Sequence, residues 1–492
     1  MNTFLRLLVL LFAFAFLAAG LSFWISPERT AEHFGLVADH VQGIVSLYSD
    51  LGGLFVGLAV LCAAGALASS RTLLNAAAVV LASIVVGRVL GWFHLGALGG
   101  RELLIELLAI AALVLCARSA RPAGERTPGS KRWILPIAGA ALVACAAALV
   151  LAPAVQQKLF DAGARTMSAK TNTAPFEDDA LRVAIAGSSA PLPSRARAKA
   201  SVVVFAGGRF WVVDSGPESV ENLVLWGIPL SRIGGVLLTH FHSDHIGDLG
   251  ELQLQTWAGG RADKLKVYGG PGVDGVVAGF NQAYALDQGY RTAHHGEKVM
   301  PSAAWGMQAV TVTLDGPPTA AKDRSALVYD DGSLRITAIE VDHAPIEPAY
   351  AYRFDYKGRS AVVTGDLKYH PPLAQHAHGT DLLVSEAISR TMTESLEHAA
   401  HEGGRDRTGA IMHDVQDYHI SPEEAAGLAN DAQARHLAFY HLLPAPDGWL
   451  PRQLFARGVN EVRSGDWTIA DDGSLYTLPL DTHDVRIGRI DG

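Results

Sequence analysis

The feature that most constrains the fold of this chain is a dense run of potential metal ligands at positions 240–245. The run reads His-Phe-His-Ser-Asp-His, so four ligand-type side chains fall within six positions. It comes just after the apolar stretch 234–238, Gly-Gly-Val-Leu-Leu, which predicts a buried strand. The chain must therefore adopt a fold in which the end of a buried strand opens onto a site that can hold ions.

The spacing of these ligands predicts two neighbouring ion sites. His240 and His242 are two positions apart, so they point the same way along an extended backbone and can grip one metal ion. Asp244 and His245 come at the following turn and can face a second ion. A chance histidine-rich loop is the alternative, but the order of the ligand types after an apolar strand favours a metal site.

Thiolate ligands are excluded from this part of the chain. The three cysteines, Cys62, Cys116 and Cys145, all lie in apolar runs of the first third. Any metal bound after them must therefore use His, Asp or Glu.

The first third of the chain predicts a membrane region. Five apolar runs occur before residue 156, and most approach the roughly 17–25 residues that span a bilayer. The first run could instead be a signal peptide, but its length favours an uncleaved helix. The runs cover residues 7–24, 51–68, 73–98, 103–116 and 133–155.

The charges of the connecting loops predict the orientation of this region. The segment 119–132 carries Arg121, Arg126, Lys131 and Arg132, and basic loops stay in the cytoplasm. A fifth span would then deliver the rest of the chain to the outer side. We therefore expect a multi-pass protein of the cell (inner) membrane, with its last domain on the extracytoplasmic, periplasmic side.

These patterns divide the chain into five predicted segments. The later part alternates short β-rich runs with helical stretches, which predicts an α/β domain. The segments are a four-helix transmembrane module at 1–118, a basic cytoplasmic loop at 119–132, a fifth transmembrane helix at 133–155, a linker at 156–180 and a hydrolase domain at 181–492.

The stretch Thr-His-Phe-His-Ser-Asp-His-Ile-Gly-Asp-Leu at 239–249 resembles the signature of the metallo-β-lactamase superfamily. Other stretches resemble its remaining motifs: Val-Val-Asp-Ser-Gly around Asp214, Glu-Val-Asp-His ending at His343, Val-Thr-Gly-Asp ending at Asp366, and Phe-Tyr-His ending at His441. The resemblance implies a four-layer αββα sandwich, preceded here by an all-α region of about five helices.

The resemblance also implies the ligand sets. The first ion would take His240, His242, His343 and Asp366, and the second would take Asp244, His245, Asp366 and His441. Asp214 would support the site from behind the ligands. Two zinc ions are expected, and manganese or iron could substitute.

Within the superfamily, the chain resembles the ribonuclease Z and arylsulfatase-like branch. The segments Asp-Leu-Leu-Val-Ser-Glu-Ala and Tyr-His-Ile-Ser-Pro-Glu-Glu carry this resemblance through Glu386 and His419. The two zinc ions would activate a shared water. His419, oriented by Glu386, would protonate the departing oxygen, and Asp244 would orient the nucleophile as well as ligate.

The sequence favours a small-molecule ester, such as a sulfate or phosphate ester, as the substrate of an arylsulfatase-like enzyme. Nucleic acid is an unfavoured partner, because the net charge is −9 and the topology is extracytoplasmic. His343 and Asp366 are also only 23 positions apart, too few for the protruding arm of tRNA-processing relatives.

Two alternatives stay open. One is a ribonuclease Z-like phosphodiesterase that cuts tRNA at its 3′ end, with a cytoplasmic catalytic domain. The other is a non-catalytic membrane sensor or transport partner, suggested by Arg88 and Glu106 within predicted spans. The membrane and a second copy of the chain, as a homodimer, are the further expected partners.

Overall fold

A computed structural model describes residues 3–27, 30–31, 46–95, 100–120, 156–158, 160–161, 163–165 and 171–490. The chain forms two compact units, 1–168 and 169–492. The first is helical, and the second contains two β-sheets and the motif at 240–245.

The first unit consists of apolar helices in its described part. Helix α2 is preceded by a short π-helical segment, Leu47–Gly52. The side chains of α1, α2 and the facing residues of the next two helices pack into one apolar cluster. The helices are α1 (Thr3–Ile25), α2 (Gly53–Ala68), α3 (Arg71–Leu95) and α4 (Gly100–Ser119).

Fewer of these helices can cross a membrane than the sequence predicted. Among the described residues, only two segments, Thr3–Ile25 and Leu47–Ala68, are long and apolar enough by length and composition. The prediction of about five is corrected to two in the described part, where α3 contributes only a shorter apolar helix, Arg71–Val86, and α4 carries Glu106 among its apolar residues. The side chain of Arg88 and the predicted fifth span at 133–155 lie outside the described residues.

The second unit is built on two sheets. The first sheet has the strand order β15-β14-β1-β2-β3-β4-β5-β6, and the second has the order β13-β12-β11-β10-β9-β8-β7. The strands of the first sheet are β1 (Ala180–Gly187), β2 (Ser201–Ala206), β3 (Arg209–Val213), β4 (Ile233–Leu237), β5 (Leu265–Gly269), β6 (Met307–Thr311), β14 (Ser474–Pro479) and β15 (Arg486–Arg489). Those of the second are β7 (Ser325–Asp330), β8 (Leu334–Glu340), β9 (Tyr350–Tyr356), β10 (Arg359–Val363), β11 (Leu382–Ile388), β12 (His436–Leu443) and β13 (Asp466–Ile469).

The two sheets pack face to face, and helices cover their outer faces. Strand β1 illustrates how the sequence produces these layers, since all eight of its residues are buried. Val183 and Ile185 face the second sheet, whereas Ala184 and Ala186 face the helices, as the two-residue period of a strand requires. A strand covered on both faces has no side turned to solvent, which explains why all of its residues except Arg182 are apolar.

The helices of the second unit divide between the two outer faces. Helices α5, α7 and α8 cover the first sheet, and α10 and α13 cover the second. The α/β fold of two sheets flanked by helices agrees with the predicted sandwich. The helices are α5 (Ser219–Leu225), α6 (Ser243–Ile246), α7 (Leu249–Ala258), α8 (Val273–Ala283), α9 (Ala285–His295), α10 (Pro372–His376), α11 (Arg390–Glu402), α12 (Asp406–Asp414), α13 (Pro422–Asp431), α14 (Trp449–Phe455) and α15 (Val459–Val462).

The first residue of β12, His436, is expected to make the second unit sensitive to mild acid. Its ring is buried and its Nε2 lies 3.0 Å from Thr468 Oγ1. Burial lowers its pKa to about 4, against an ordinary value of about 6.5. Between these two pH values the unfolded chain binds a proton at His436 and the folded chain does not. The contribution of His436 to the free energy of unfolding is therefore complete above pH ~6.5, and up to ~3 kcal/mol is lost as the pH falls towards ~4.

Urea unfolding at a series of pH values tests this. We expect His436→Gln to be less sensitive than the wild type between pH ~6.5 and ~4, and His378→Gln, at an exposed position, to behave like the wild type. Equal pH dependence of His436→Gln and the wild type would contradict the prediction.

Candidate metal centre

The potential ligands meet at the strand ends of both sheets. His240 follows β4, His343 follows β8, Asp366 follows β10, and His441 lies near the end of β12. In the backbone before Asp366, Gly365 has φ +61°, and a Cβ there would lie 2.7 Å from Thr239 Cβ. Glycine thus lets the loop that carries Asp366 approach the loop that carries His240.

The first predicted ligand set comes together. Single ligand atoms of His240, His242, His343 and Asp366 all lie within 4.8 Å of one another. Asp366 Oδ2 is 3.8 Å from His240 Nε2 and 3.9 Å from His343 Nε2. All but His242 are buried, and His242 is half-buried.

The second predicted set also comes together, around the same carboxylate. Asp244, His245 and His441 form a buried group of ligand atoms within 4.8 Å. Asp366 Oδ2 lies 3.4 Å from His245 Nε2 and 3.4 Å from His441 Nε2. Asp366 is therefore the side chain shared by both sets.

Asp214 orients two of the imidazoles. Its carboxylate accepts hydrogen bonds from His245 Nδ1 at 2.8 Å and from the backbone N and Oγ1 of Thr239 at 2.8 Å each. Thr239 Oγ1 in turn lies 3.1 Å from His240 Nδ1. Because their Nδ1 atoms are engaged in this way, His240 and His245 present Nε2 to the centre.

Two of these residues have strained backbones. Asp214 has φ +59° and His441 has φ +41°, in the left-handed region that non-glycine residues rarely adopt. Such strain persists where the surrounding structure holds it, and it is concentrated at functional sites.

The pKa values of the histidines shift in two directions, because burial lowers some of them and the buried carboxylates raise others. Burial and the neighbouring charge of His245 hold the pKa of His240 well below its usual value, and burial lowers the pKa of His343 to about 4. Burial also disfavours the charged form of His441, but the carboxylate of Asp366 and the hydrogen bond to Asp244 outweigh it and raise the pKa to about 10. His441 thus carries positive charge that compensates the buried carboxylates, a task that a divalent cation can take over.

The side chains present fit divalent metal ions. Three buried atoms of the cluster have no hydrogen-bond partner among the described residues: His245 Nε2, His343 Nε2 and Asp366 Oδ1. Buried polar atoms normally have a partner, so unpaired atoms in a cluster of imidazoles and carboxylates fit the role of metal ligands. The donor set of nitrogen and oxygen atoms suits a metal such as zinc.

Glu386 and His419 form a buried pair at the edge of this cluster. His419 Nδ1 lies 2.8 Å and 2.9 Å from the two Glu386 oxygens, and Glu386 Oε1 also accepts from Leu367 N at 2.9 Å. His419 Nδ1 is 3.9 Å from Asp366 Oδ2. The residue before helix α13, Ser421, forms a capping box with Glu424, which fixes the backbone two positions after His419.

Three features of the centre were not predicted from the sequence. The backbone oxygen of Tyr418 accepts from His343 Nδ1 at 2.9 Å, and Thr239 links Asp214 to His240. Asp366, Glu386, His419 and His441 also form a third group of ligand atoms within 4.8 Å. A backbone acceptor carries no residue-type signal, but the threonine directly before the first histidine could have suggested a supporting role.

Comparison with known proteins agrees with this geometry. The profile of the beta-lactamase superfamily domain matches residues 211–442. The chain is 31% identical over 304 residues to the ribonuclease Z of Mycolicibacterium paratuberculosis, which covers 61% of this chain and 99% of that protein. It is 30% identical over 268 residues to the ribonuclease Z of Mycolicibacterium gilvum, over 54% of this chain and 85% of the relative. Human tRNase Z, short form, is a similar solved structure, with 19% identity over 61% of this chain and 99% of that chain and a TM-score of 0.44.

The matched superfamily and the relatives define the class: this is a metal-dependent hydrolase that acts on ester bonds. The chain belongs to the metallo-β-lactamase superfamily, and ribonuclease Z proteins are among its homologues. The comparisons do not support the arylsulfatase-like assignment.

The predicted partners are corrected by the same finding. The prediction of a small-molecule ester substrate was wrong, and so was the prediction that nucleic acid is an unfavoured partner, because the curated relatives are ribonucleases. The net charge misled because it averages over the whole surface, whereas a phosphate backbone is bound by the local charge around a site. The short interval between His343 and Asp366 is occupied by the antiparallel strands β9 and β10. It bears only on a protruding arm at this place in the chain, which is one of several elements that could bind RNA.

Proposed function

We propose that this chain is a ribonuclease Z-like phosphodiesterase that cleaves RNA, with the 3′ end of precursor tRNA as its substrate. The observation that carries the proposal is the match to a ribonuclease Z over 99% of that protein. The buried ligand cluster and the Glu386–His419 pair support it, because metal ions and a proton donor both assist the hydrolysis of a phosphodiester.

The ligand roles follow from the two groups described above. We propose that one zinc ion is held by His240, His242, His343 and Asp366, and the other by Asp244, His245, Asp366 and His441. Two such ions would supply an activated water and a positive field for the phosphoryl oxygens. Asp214 keeps the imidazoles in the tautomer that ligation needs, and Asp244 orients the attacking water.

His419 is proposed to protonate the departing oxygen. Glu386 holds its Nδ1 at 2.8 Å, which orients the ring. Glu386 is buried and its second oxygen is 3.7 Å from His441 Nδ1, so the same carboxylate connects the proton donor with the ligand cluster.

The proposal is tested with the purified full-length protein, zinc and a precursor tRNA that carries a 3′ trailer. We expect endonucleolytic cleavage that stops when a chelator removes the metal and returns when zinc is restored. A zinc-replete protein that hydrolyses bis-(p-nitrophenyl) phosphate but leaves every RNA intact would refute the RNA substrate and keep the phosphodiesterase.

The apolar unit is proposed to hold the chain in the cell membrane, which the two long apolar helices support. An even number of crossings within residues 1–120 would return the chain to its starting side, so segment 133–155 determines the side of the catalytic unit. A crossing by this segment would give the extracytoplasmic location that the sequence predicts, whereas precursor tRNA requires the cytoplasmic one.

Reporter fusions at the C terminus separate these topologies. We expect green fluorescent protein to fluoresce there and alkaline phosphatase to be inactive. The opposite result would place the catalytic unit outside the cytoplasm and exclude precursor tRNA as its substrate.

A further inference from the structure

Tyr418 connects the two functional parts of the centre. Its backbone oxygen accepts from His343 Nδ1 at 2.9 Å, and its chain neighbour is His419. Its ring lies edge-on to the His343 ring at 5.2 Å between centroids and tilted against the His419 ring at 4.7 Å. One residue therefore contacts both a potential ligand and the potential proton donor.

Packing fixes the position of this ring. Tyr418 is half-buried and packs against an apolar cluster of Ala190, Ile388, Val415 and Leu443, together with Leu192. The ring is thus held between this cluster and two imidazoles, so its orientation is defined before a substrate arrives.

The hydroxyl of Tyr418 can form a hydrogen bond with a bound molecule. Within the described part of the chain no hydrogen bond joins it to another residue, and the residue is only half-buried, so the hydroxyl is available to a bound molecule. The contacts of its ring with His343 and His419 place the phenol beside the ligand cluster.

We propose that Tyr418 contacts the substrate directly, and that its hydroxyl donates a hydrogen bond to a non-bridging phosphate oxygen at the scissile bond. The inference rests on the proposed phosphodiesterase function. A phosphate oxygen suits this position because the hydroxyl is a neutral donor that can bind an anion beside buried carboxylates. A stacked nucleobase suits it less, because the ring already packs against two histidines and the apolar cluster.

Two variants test the contact in the full-length zinc protein. Tyr418→Phe keeps the ring and removes only the hydroxyl, and Tyr418→Leu keeps an apolar side chain. We expect each to lower kcat/KM for bis-(p-nitrophenyl) phosphate by ~10- to 100-fold, the range of a hydrogen bond to a charged group, with the zinc content unchanged. Any RNA cleavage should fall by a similar factor, since the phosphate is common to both substrates.

The control is Tyr329→Phe, which removes a hydroxyl that donates to Asp331 Oδ2 at the far end of β7 and β8 from His343. We expect it to match the wild type. An unchanged rate in Tyr418→Phe would overturn the contact, as would a loss restricted to RNA or one that follows the loss of zinc. The small phosphodiester keeps this test separate from the proposed function, because it reports on Tyr418 even if no RNA is cleaved.

Discussion

Asp366→Asn is expected to abolish hydrolysis and to lower the metal content of the protein. Asp366 Oδ2 lies 3.4–3.9 Å from imidazole nitrogens of the four potential ligands His240, His245, His343 and His441, two of them on loops, one on helix α6 and one on strand β12. The substitution keeps the size of the side chain and removes the negative charge that both ion sites would share. Metal ions contribute several kcal/mol of transition-state stabilisation, so kcat should fall on the order of 10³-fold or more.

The measurements are zinc per chain by elemental analysis and steady-state hydrolysis of bis-(p-nitrophenyl) phosphate. Asp355→Asn is the matched control, because Asp355 lies on β9 in the same sheet and pairs with Arg353 near the surface. It should keep both its zinc and its activity. An Asp366→Asn protein with two zinc ions and at least a tenth of the wild-type activity would disprove the shared position of this carboxylate.

His419→Ala is expected to have an effect that depends on the leaving group. A general acid contributes typically ~10²- to 10⁴-fold, so cleavage of RNA, whose alkoxide must be protonated, should fall within that range. Hydrolysis of bis-(p-nitrophenyl) phosphate should change much less, because nitrophenolate departs without a proton. Glu386→Gln should show the same pattern with a smaller loss, since Glu386 acts through His419 at 2.8 Å.

Zinc analysis distinguishes this role from ligation, because the Glu386–His419 pair also belongs to a group of potential ligands around Asp366. We expect both variants to keep their zinc. The control is His413→Ala. His413 is an exposed histidine on helix α12 that pairs with Glu397 of helix α11, and this variant should behave as the wild type. Equal losses on both substrates, or the loss of metal, would contradict the assignment of His419 as the proton donor.

The two predictions concern different steps, and together they separate the parts of the site. Asp366 acts on ion binding and therefore on every substrate, whereas His419 acts on the departing oxygen. Under the proposed function this oxygen belongs to RNA, a substrate that the net charge of the chain did not favour. Net charge is a property of the whole surface, and it does not determine the local electric field at a site that holds metal ions.

The apolar first third of the chain shows a second limit of reasoning from sequence. Hydropathy predicted five spans, and the described part contains two segments that meet the length and composition of a span. The predicted fifth span at 133–155 lies outside the described residues, and Glu106, buried in α4, shows that a long apolar pattern does not by itself distinguish a lipid-facing helix from a packed one.

The sequence alone determined the types of ligand and their local pairing. His240 with His242, and Asp244 with His245, follow from the short spacing after β4, because the backbone geometry of a strand end is local. Family resemblance then identified the distant members His343, Asp366 and His441.

Only the tertiary structure decided how these members are arranged. His441 Nε2 meets Asp244 Oδ2 at 3.2 Å although 197 positions separate them, and the carbonyl of Tyr418 holds the ring of His343. Such contacts depend on the packing of two sheets against each other, and a backbone carbonyl is the same in every residue. The orientation of each imidazole, and the open hydroxyl of Tyr418, therefore left no trace in the pattern of residue types.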